Sequence, residues 1–138
     1  MLDTEKVRLY LDVAKIHAYY SKAFRKRVGA CVVTTSGVIL AGINGTPSGT
    51  SNRCEDENNN TLQEVLHAEL NCILKAAKEG VSIQGASLYV TLSPCIQCAA
   101  MIKQSGIKEV YYLEKYRCTK GIEYLEKTDV NIQQFIDF

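Results

Sequence analysis

Two short stretches of this chain carry side chains that have work to do only if the fold sets them side by side. His67-Ala68-Glu69 offers an imidazole and a carboxylate two residues apart. Pro94-Cys95-Ile96-Gln97-Cys98 offers two thiols three apart behind a proline, with 24 residues between Glu69 and Pro94. Two thiolates and a neutral imidazole balance the charge of Zn²⁺ and leave one position open, which is the arrangement of a catalytic zinc rather than a structural one. Sulfurs three apart at a helix start project to the same side, near the positive end of the helix. That position favours the thiolate, the form that binds metal. His67 and Glu69 are about 200° apart around a regular helix, so they cannot share a pocket from mid-helix. His67 is therefore expected at or just before a helix start, where the backbone can still steer both side chains together. A structural zinc site closed by Cys54 or Cys118 is the alternative, but it gives Glu69 no role and leaves Pro94 unexplained.

The remaining composition limits the setting. At 138 residues the chain suits a single domain over 1–138 with a real core. A net charge of +1 argues against a general nucleic-acid binder, which would be clearly basic. No apolar run approaches the roughly 20 residues of a membrane helix. The opening Met1-Leu2-Asp3-Thr4-Glu5 lacks the basic-then-apolar form of a signal peptide. A cytoplasmic protein is expected, in which the six cysteines serve as ligands or core residues. Cys31 and Cys72 lie in apolar runs and read as core, while Cys54 and Cys118 lie in polar segments.

Helical spacing of Val7, Tyr10, Leu11, Ala14 and Ala18 predicts a first helix from Asp3 or Thr4 to Ser21. It runs into a basic cluster, Lys22 to Arg27, whose cations either face water or, for one or two of them, an anionic substrate. Val28–Thr35 and Val38–Ile43 read as a hairpin around Ser36-Gly37. A long loop follows, of the length usually reserved for function. A second helix ends at Gly80, and Ala86–Leu92 is a third strand. Ser93 as cap and Pro94 at the first helical position predict the start of a third helix, which Gly106 stops. Ile107–Leu113 is a fourth strand and Lys120–Lys127 a fourth helix, and Val130–Phe138 is either strand or helix. A hairpin followed by alternating helix and strand implies a mixed sheet of about five strands with helices on its faces.

In this order the two stretches match the H-x-E…P-C-x-x-C pattern of zinc-dependent base deaminases. From about Lys6 to Tyr116 the chain resembles the deoxycytidylate (dCMP) deaminases of the cytidine deaminase-like superfamily. The resemblance also rests on Gly42-Ile43-Asn44-Gly45-Thr46-Pro47-Ser48-Gly49, on Leu70-Asn71 after the His-Ala-Glu triplet, on Tyr89-Val90-Thr91-Leu92-Ser93, and on Ser105-Gly106-Ile107-Lys108-Glu109-Val110. Free-nucleoside cytidine deaminases usually place cysteine where His67 stands. tRNA adenosine and guanine deaminases typically carry Glu where Ser93 stands, and riboflavin-pathway deaminases carry a second domain.

The resemblance implies a three-layer α/β/α fold of the cytidine deaminase-like kind. It implies hydrolysis of dCMP to dUMP and ammonia for thymidylate synthesis, with His67, Cys95 and Cys98 holding Zn²⁺ and Glu69 as the acid–base. It further implies activation by dCTP and inhibition by dTTP, Mg²⁺ accompanying such an effector, and a homo-oligomer, in many members a hexamer. Members with a second, structural zinc carry cysteine just after the first helix. Ser21-Lys22-Ala23-Phe24 has none, so one zinc per chain is expected. A Gly/Pro/Ser turn can cradle phosphate with its N–H groups, which makes Asn44 and Ser48, with Arg27 and Arg53, the expected substrate contacts. Tyr116 would stack near the base or sugar. Lys75 and Lys78 present a cationic helix face to solvent or to an effector phosphate. A nucleic-acid-editing protein on the same fold is the alternative, and a basic stripe beside the pocket would mark it.

Overall fold

Gly29–Val33 (β1) is buried at every position, because the strand is central and both of its faces are covered. Its side chains alternate between two cores, as a strand's must: Ala30 and Val32 enter one, Cys31 and Val33 the other. The computed structural model describes residues 3–136. Around β1 it sets β2 (Ile39–Ile43), β3 (Ser87–Leu92), β4 (Glu109–Glu114) and β5 (Asn131–Gln134) in the order β2-β1-β3-β4-β5. The pairs β1/β2 and β1/β3 are antiparallel, and β3/β4 and β4/β5 are parallel.

One helix covers one face. Val7 and Leu11 of α1 (Asp3–Ala18) pack with Cys31, Val33 and Tyr89. The Tyr89 ring stacks on Tyr111 at 5.4 Å and meets Tyr10 of α1 at 5.1 Å. Three helices cover the other face: α2 (Ala68–Glu79) through Cys72 and Ala76, α3 (Ile96–Gln104) through Ala99 and Ile102, and α4 (Lys120–Glu126) through Ile122 and Leu125. These meet Leu88, Val90, Val110 and Tyr112 from the sheet. The architecture is the three-layer α/β/α arrangement with a mixed sheet. Cys31 and Cys72 are both core residues, at 0% exposure.

Several boundaries differ from expectation. The first helix stops at Ala18 rather than Ser21, because Tyr20 and Ser21 turn back onto His17 and Ala18. The Ser21 hydroxyl then lies 2.8 Å from both the carbonyl and the side-chain Oδ1 of Asn44. Strand β1 is shorter than Val28–Thr35, since Thr34 already closes the hairpin turn through its N–H and hydroxyl to Val38. Of the ambiguous tail, Asn131–Gln134 is a strand, parallel to β4; Asp137 and Phe138 lie outside the described residues.

α1 rests directly on the backbone of β1. A Cβ at Gly29 would stand 1.9 Å from the Ala14 carbonyl oxygen and 2.7 Å from the Ala18 nitrogen. Gly29→Ala is expected to push α1 off the sheet at a cost of about 1–3 kcal/mol, the usual range for overpacking. The expected reading is a lower urea midpoint with an unchanged slope.

The mixed topology also chooses the site. Parallel β3 and β4 end on the same edge, and antiparallel β1 begins there. Crevices outside the carboxyl ends of strands are where such sheets bind ligands.

Candidate active site

Both sequence stretches sit on this edge. His67 is the N-cap of α2, with extended backbone (φ −69°, ψ 153°), so its ring leaves the chain before helical geometry separates it from Glu69 in the first turn. The thiol stretch starts its helix later than expected. α3 begins at Ile96, and Cys95 rather than Ser93 is its N-cap. The Cys95 sulfur accepts the Cys98 N–H at 3.4 Å, which is the job a serine cap would have done. Ser93, ahead of a proline and biased to extended backbone, stays with the strand exit.

His67 Nδ1 lies 3.2 Å from the Cys98 sulfur and 3.6 Å from the Cys95 sulfur. The three donor atoms all lie within 4.8 Å of one another. A nitrogen and two sulfurs at that spacing form a donor set that suits Zn²⁺. Among the described residues no fourth His, Cys, Asp or Glu joins the group. Cys54 lines the same cleft but is buried against Ala23 and Val65, outside the donor group, and Cys118 is exposed. The set is thus three-membered and open.

Its electrostatics follow from contact and burial. Hydrogen bonds from Cys98 and then His67 bring the Cys95 thiol down to about 4. The same bond to Cys95, with burial, pushes Cys98 up. His67 is raised mainly by its hydrogen bond with Cys95. Burial pushes the Glu69 carboxyl up to about 7.

Glu69, His67 and Cys95 line a cleft of about 420 Å³, in the range that takes small ligands. Buried Val28 and half-buried Asn44 and Leu92 form part of its wall, and exposed Arg25, Lys26, Glu114, Lys115 and Arg117 stand at its mouth with half-buried Tyr116. Of the five residues expected to contact substrate, Asn44 and Tyr116 line this cleft, and Arg27, Ser48 and Arg53 do not. The Arg27 guanidinium donates to the carbonyls of Ala23 and Tyr19. Arg53 Nε donates to the Glu55 carbonyl. Ser48 lies in a separate groove with Pro47, Asn71 and Lys75, where the Lys75 ammonium donates to the Ala41 carbonyl. Even Asn44 is largely committed to the fold. Its Oδ1 accepts the Val28 N–H at 2.8 Å, and its Nδ2 donates to the Lys26 carbonyl at 2.7 Å.

Sequence reasoning saw the basic cluster but not which of its cations reach the cleft. Glu55 decides that from 30 residues away. It is only 6% exposed, and its Oε2 accepts the N–H groups of Phe24 and Arg25. Lys115, Arg117 and Ser93 were missed. The Ser93 N–H donates to the Glu114 carbonyl, and Ser93 Oγ accepts the Tyr116 N–H at 2.8 Å. The exit of β4 is thereby tied to the segment leading into Cys95. Ser93→Ala leaves the Tyr116 N–H without that acceptor, and a loss of about 1–3 kcal/mol is expected. Chemical denaturation measures the loss, and faster amide exchange at Tyr116 localises it.

Comparison with known proteins agrees with this geometry. Residues 4–114 match the cytidine and deoxycytidylate deaminase zinc-binding region. ComE operon protein 2 of Bacillus subtilis (strain 168) is 40% identical over 130 residues, covering 91% of this chain and 68% of that protein. The deoxycytidylate deaminase of Saccharomyces cerevisiae is 34% identical over 136 residues, covering 91% of this chain and 43% of that protein. The chain therefore spans about two thirds of one curated relative and under half of the other. The crystal structure of a dCMP deaminase from the cyanophage S-TIM5, in complex with dCMP and dUMP, superposes with a TM-score of 0.92 at 42% identity, covering 98% of this chain and 100% of that one.

Proposed function

Because the chain belongs to the cytidine and deoxycytidylate deaminase family, we propose that it hydrolyses dCMP to dUMP and ammonia. The observation that carries this reading is a buried carboxylate, Glu69, in the same cleft as an open His67/Cys95/Cys98 donor set. The likeness to a phage dCMP deaminase crystallised with dCMP and dUMP supports the choice of substrate.

His67, Cys95 and Cys98 would hold one Zn²⁺, which supplies Lewis-acid activation of a water. Glu69 does the proton work. Burial holds its carboxyl at about 7, where it can both accept and return protons near neutrality. It takes a proton from the water that attacks C4 of the cytosine ring and gives it to N3, then carries the remaining proton of the new C4 hydroxyl to the departing ammonia. One water is consumed and one ammonia leaves, so the atoms balance. Asn44 keeps the wall in place through Val28 and Lys26. Tyr116 offers an aromatic face to the base or sugar. Arg25, Lys26, Lys115 and Arg117 give the mouth a cationic character suited to the monophosphate.

The same reading takes residues 1–138 as one deaminase domain that supplies dUMP for thymidylate synthesis in the cytoplasm. It includes activation by dCTP and inhibition by dTTP, Mg²⁺ accompanying either effector, and a homo-oligomer, a hexamer. Among the described residues no helix is long and apolar enough to cross a membrane.

The test is ammonia release from zinc-loaded protein offered dCMP, dCTP, deoxycytidine and cytosine-containing single-stranded DNA in parallel. Each dCMP assay is run with and without dCTP, so that a dormant enzyme is not mistaken for an inactive one. Turnover of dCMP is the expected result, and turnover confined to nucleic acid overturns the reading.

A further inference from the structure

The mouth of the cleft holds an acid among its cations. Lys26 Nζ lies 2.7 Å from Glu114 Oε2, and the pair joins the basic segment before β1 to the last residue of β4. We propose that this ion pair is a phosphate-sensing gate: the substrate's 5′-phosphate takes Lys26 from Glu114, and Glu114 sets how tightly phosphate-bearing ligands are held. The proposal rests on the nucleotide reading above and adds to it the residue that tunes it.

The backbones on both sides are anchored while the two side chains are not. The Lys26 carbonyl accepts from Asn44, and the neighbouring Arg25 N–H is held by Glu55. The Glu114 carbonyl accepts from Ser93, two residues before Cys95. The two ends of the gate thus stand at fixed positions relative to the donor set. The side chains themselves are 54% and 62% exposed, so the pair is solvated and its attraction is screened. A phosphate dianion carries twice the charge of a carboxylate and more acceptor oxygens, so it competes well for the same ammonium. The cleft is charged to match such a ligand, with buried Glu69 and Glu55 on its walls and Arg25, Lys115 and Arg117 at the mouth. A neutral ring that donates protons fits the acidic end, and a dianion fits the mouth. Glu114 is the one carboxylate lining the mouth that is exposed, and any phosphate held there must displace or repel it.

A double-mutant cycle tests this: wild type, Lys26→Met, Glu114→Gln and the double variant, each assayed on dCMP and on deoxycytidine. Deoxycytidine is measured as a substrate or, where turnover is slow, as a competitive inhibitor against dCMP. Glu114→Gln is expected to lower KM for dCMP by roughly threefold, in keeping with a solvent-exposed pair. Lys26→Met is expected to raise KM for dCMP by roughly tenfold, and by at least fivefold more than any change for deoxycytidine. In the Lys26→Met background Glu114→Gln should lower KM by less than it does in the wild type, only by the relief of direct repulsion. Equal shifts for both ligands would mark the pair as a structural strap and overturn the gate, as would a higher KM for dCMP in Glu114→Gln. Absence of dCMP turnover by the wild-type protein would instead bring down the nucleotide reading itself.

Discussion

Glu69→Gln is expected to lower kcat for dCMP by roughly 10³-fold, within the range of 10²–10⁴ that a positioned acid–base group contributes. Glutamine keeps the shape of the side chain and its hydrogen-bonding reach, but it cannot take a proton from water or return one to the leaving amine. The fold should tolerate it well. Glu69 is 4% exposed, and burial is the main cause that pushes its carboxyl up to about 7. An uncharged amide is easier to bury than a carboxylate. The melting temperature should hold or rise, and zinc should stay bound in stoichiometric amount, because His67, Cys95 and Cys98 are untouched. Ammonia release, metal content and thermal melting on one preparation separate these effects. A variant that keeps more than about a tenth of wild-type kcat would remove Glu69 from the acid–base role, since proton transfer of this kind is worth at least about a hundredfold.

Gly121→Ala is the second large effect, and the direction of the change is informative. Gly121 lies in α4 without a positive φ, so helix propensity alone favours alanine by about 1 kcal/mol. The packing says the opposite. A Cβ there would stand 2.0 Å from the Pro94 carbonyl oxygen and 2.8 Å from the carbonyl carbon and oxygen of Cys95. That Cys95 oxygen already accepts the Ala99 N–H at 2.8 Å, so it cannot move without disturbing the first turn of α3 and the sulfurs it carries. The expected outcome is a net loss of about 1–3 kcal/mol in stability and a zinc affinity lowered by roughly tenfold or more, as for other groups that support metal ligands. Competition with a chromophoric chelator measures the affinity, and urea unfolding the stability. A variant as stable as wild type, with unchanged zinc affinity, would show that α4 yields freely and that the close approach has no role in holding the metal turn.

Neither effect carries the same visibility in the sequence. Glu69 stands in a three-residue motif, and its neighbour His67 has to leave the helix for both to reach one pocket, an argument that needs only the helical period. Gly121 reads as an unremarkable helix-start glycine, because the backbone it accommodates is some 26 residues earlier in the chain.

The same division runs through the whole molecule. The sequence by itself determined the donor set, the extended His67 before its helix, the hairpin, the alternating elements and the two core cysteines. These depend on spacing along one segment, where backbone period and side-chain chemistry act locally. Tertiary structure alone decided that Cys95 rather than Ser93 caps α3, since the Ser93 hydroxyl is claimed by Tyr116 across the sheet edge. It also made Asn131–Gln134 a strand, because β4 offered an unpaired edge to four residues too short to choose for themselves. And it turned Arg25 and Lys26, not Arg27, toward the cleft. Adjacent cations in a loop have no period to sort them, so their directions are set by whichever distant groups hold the backbone, here Glu55 at Phe24 and Arg25 and Asn44 at Lys26 and Val28.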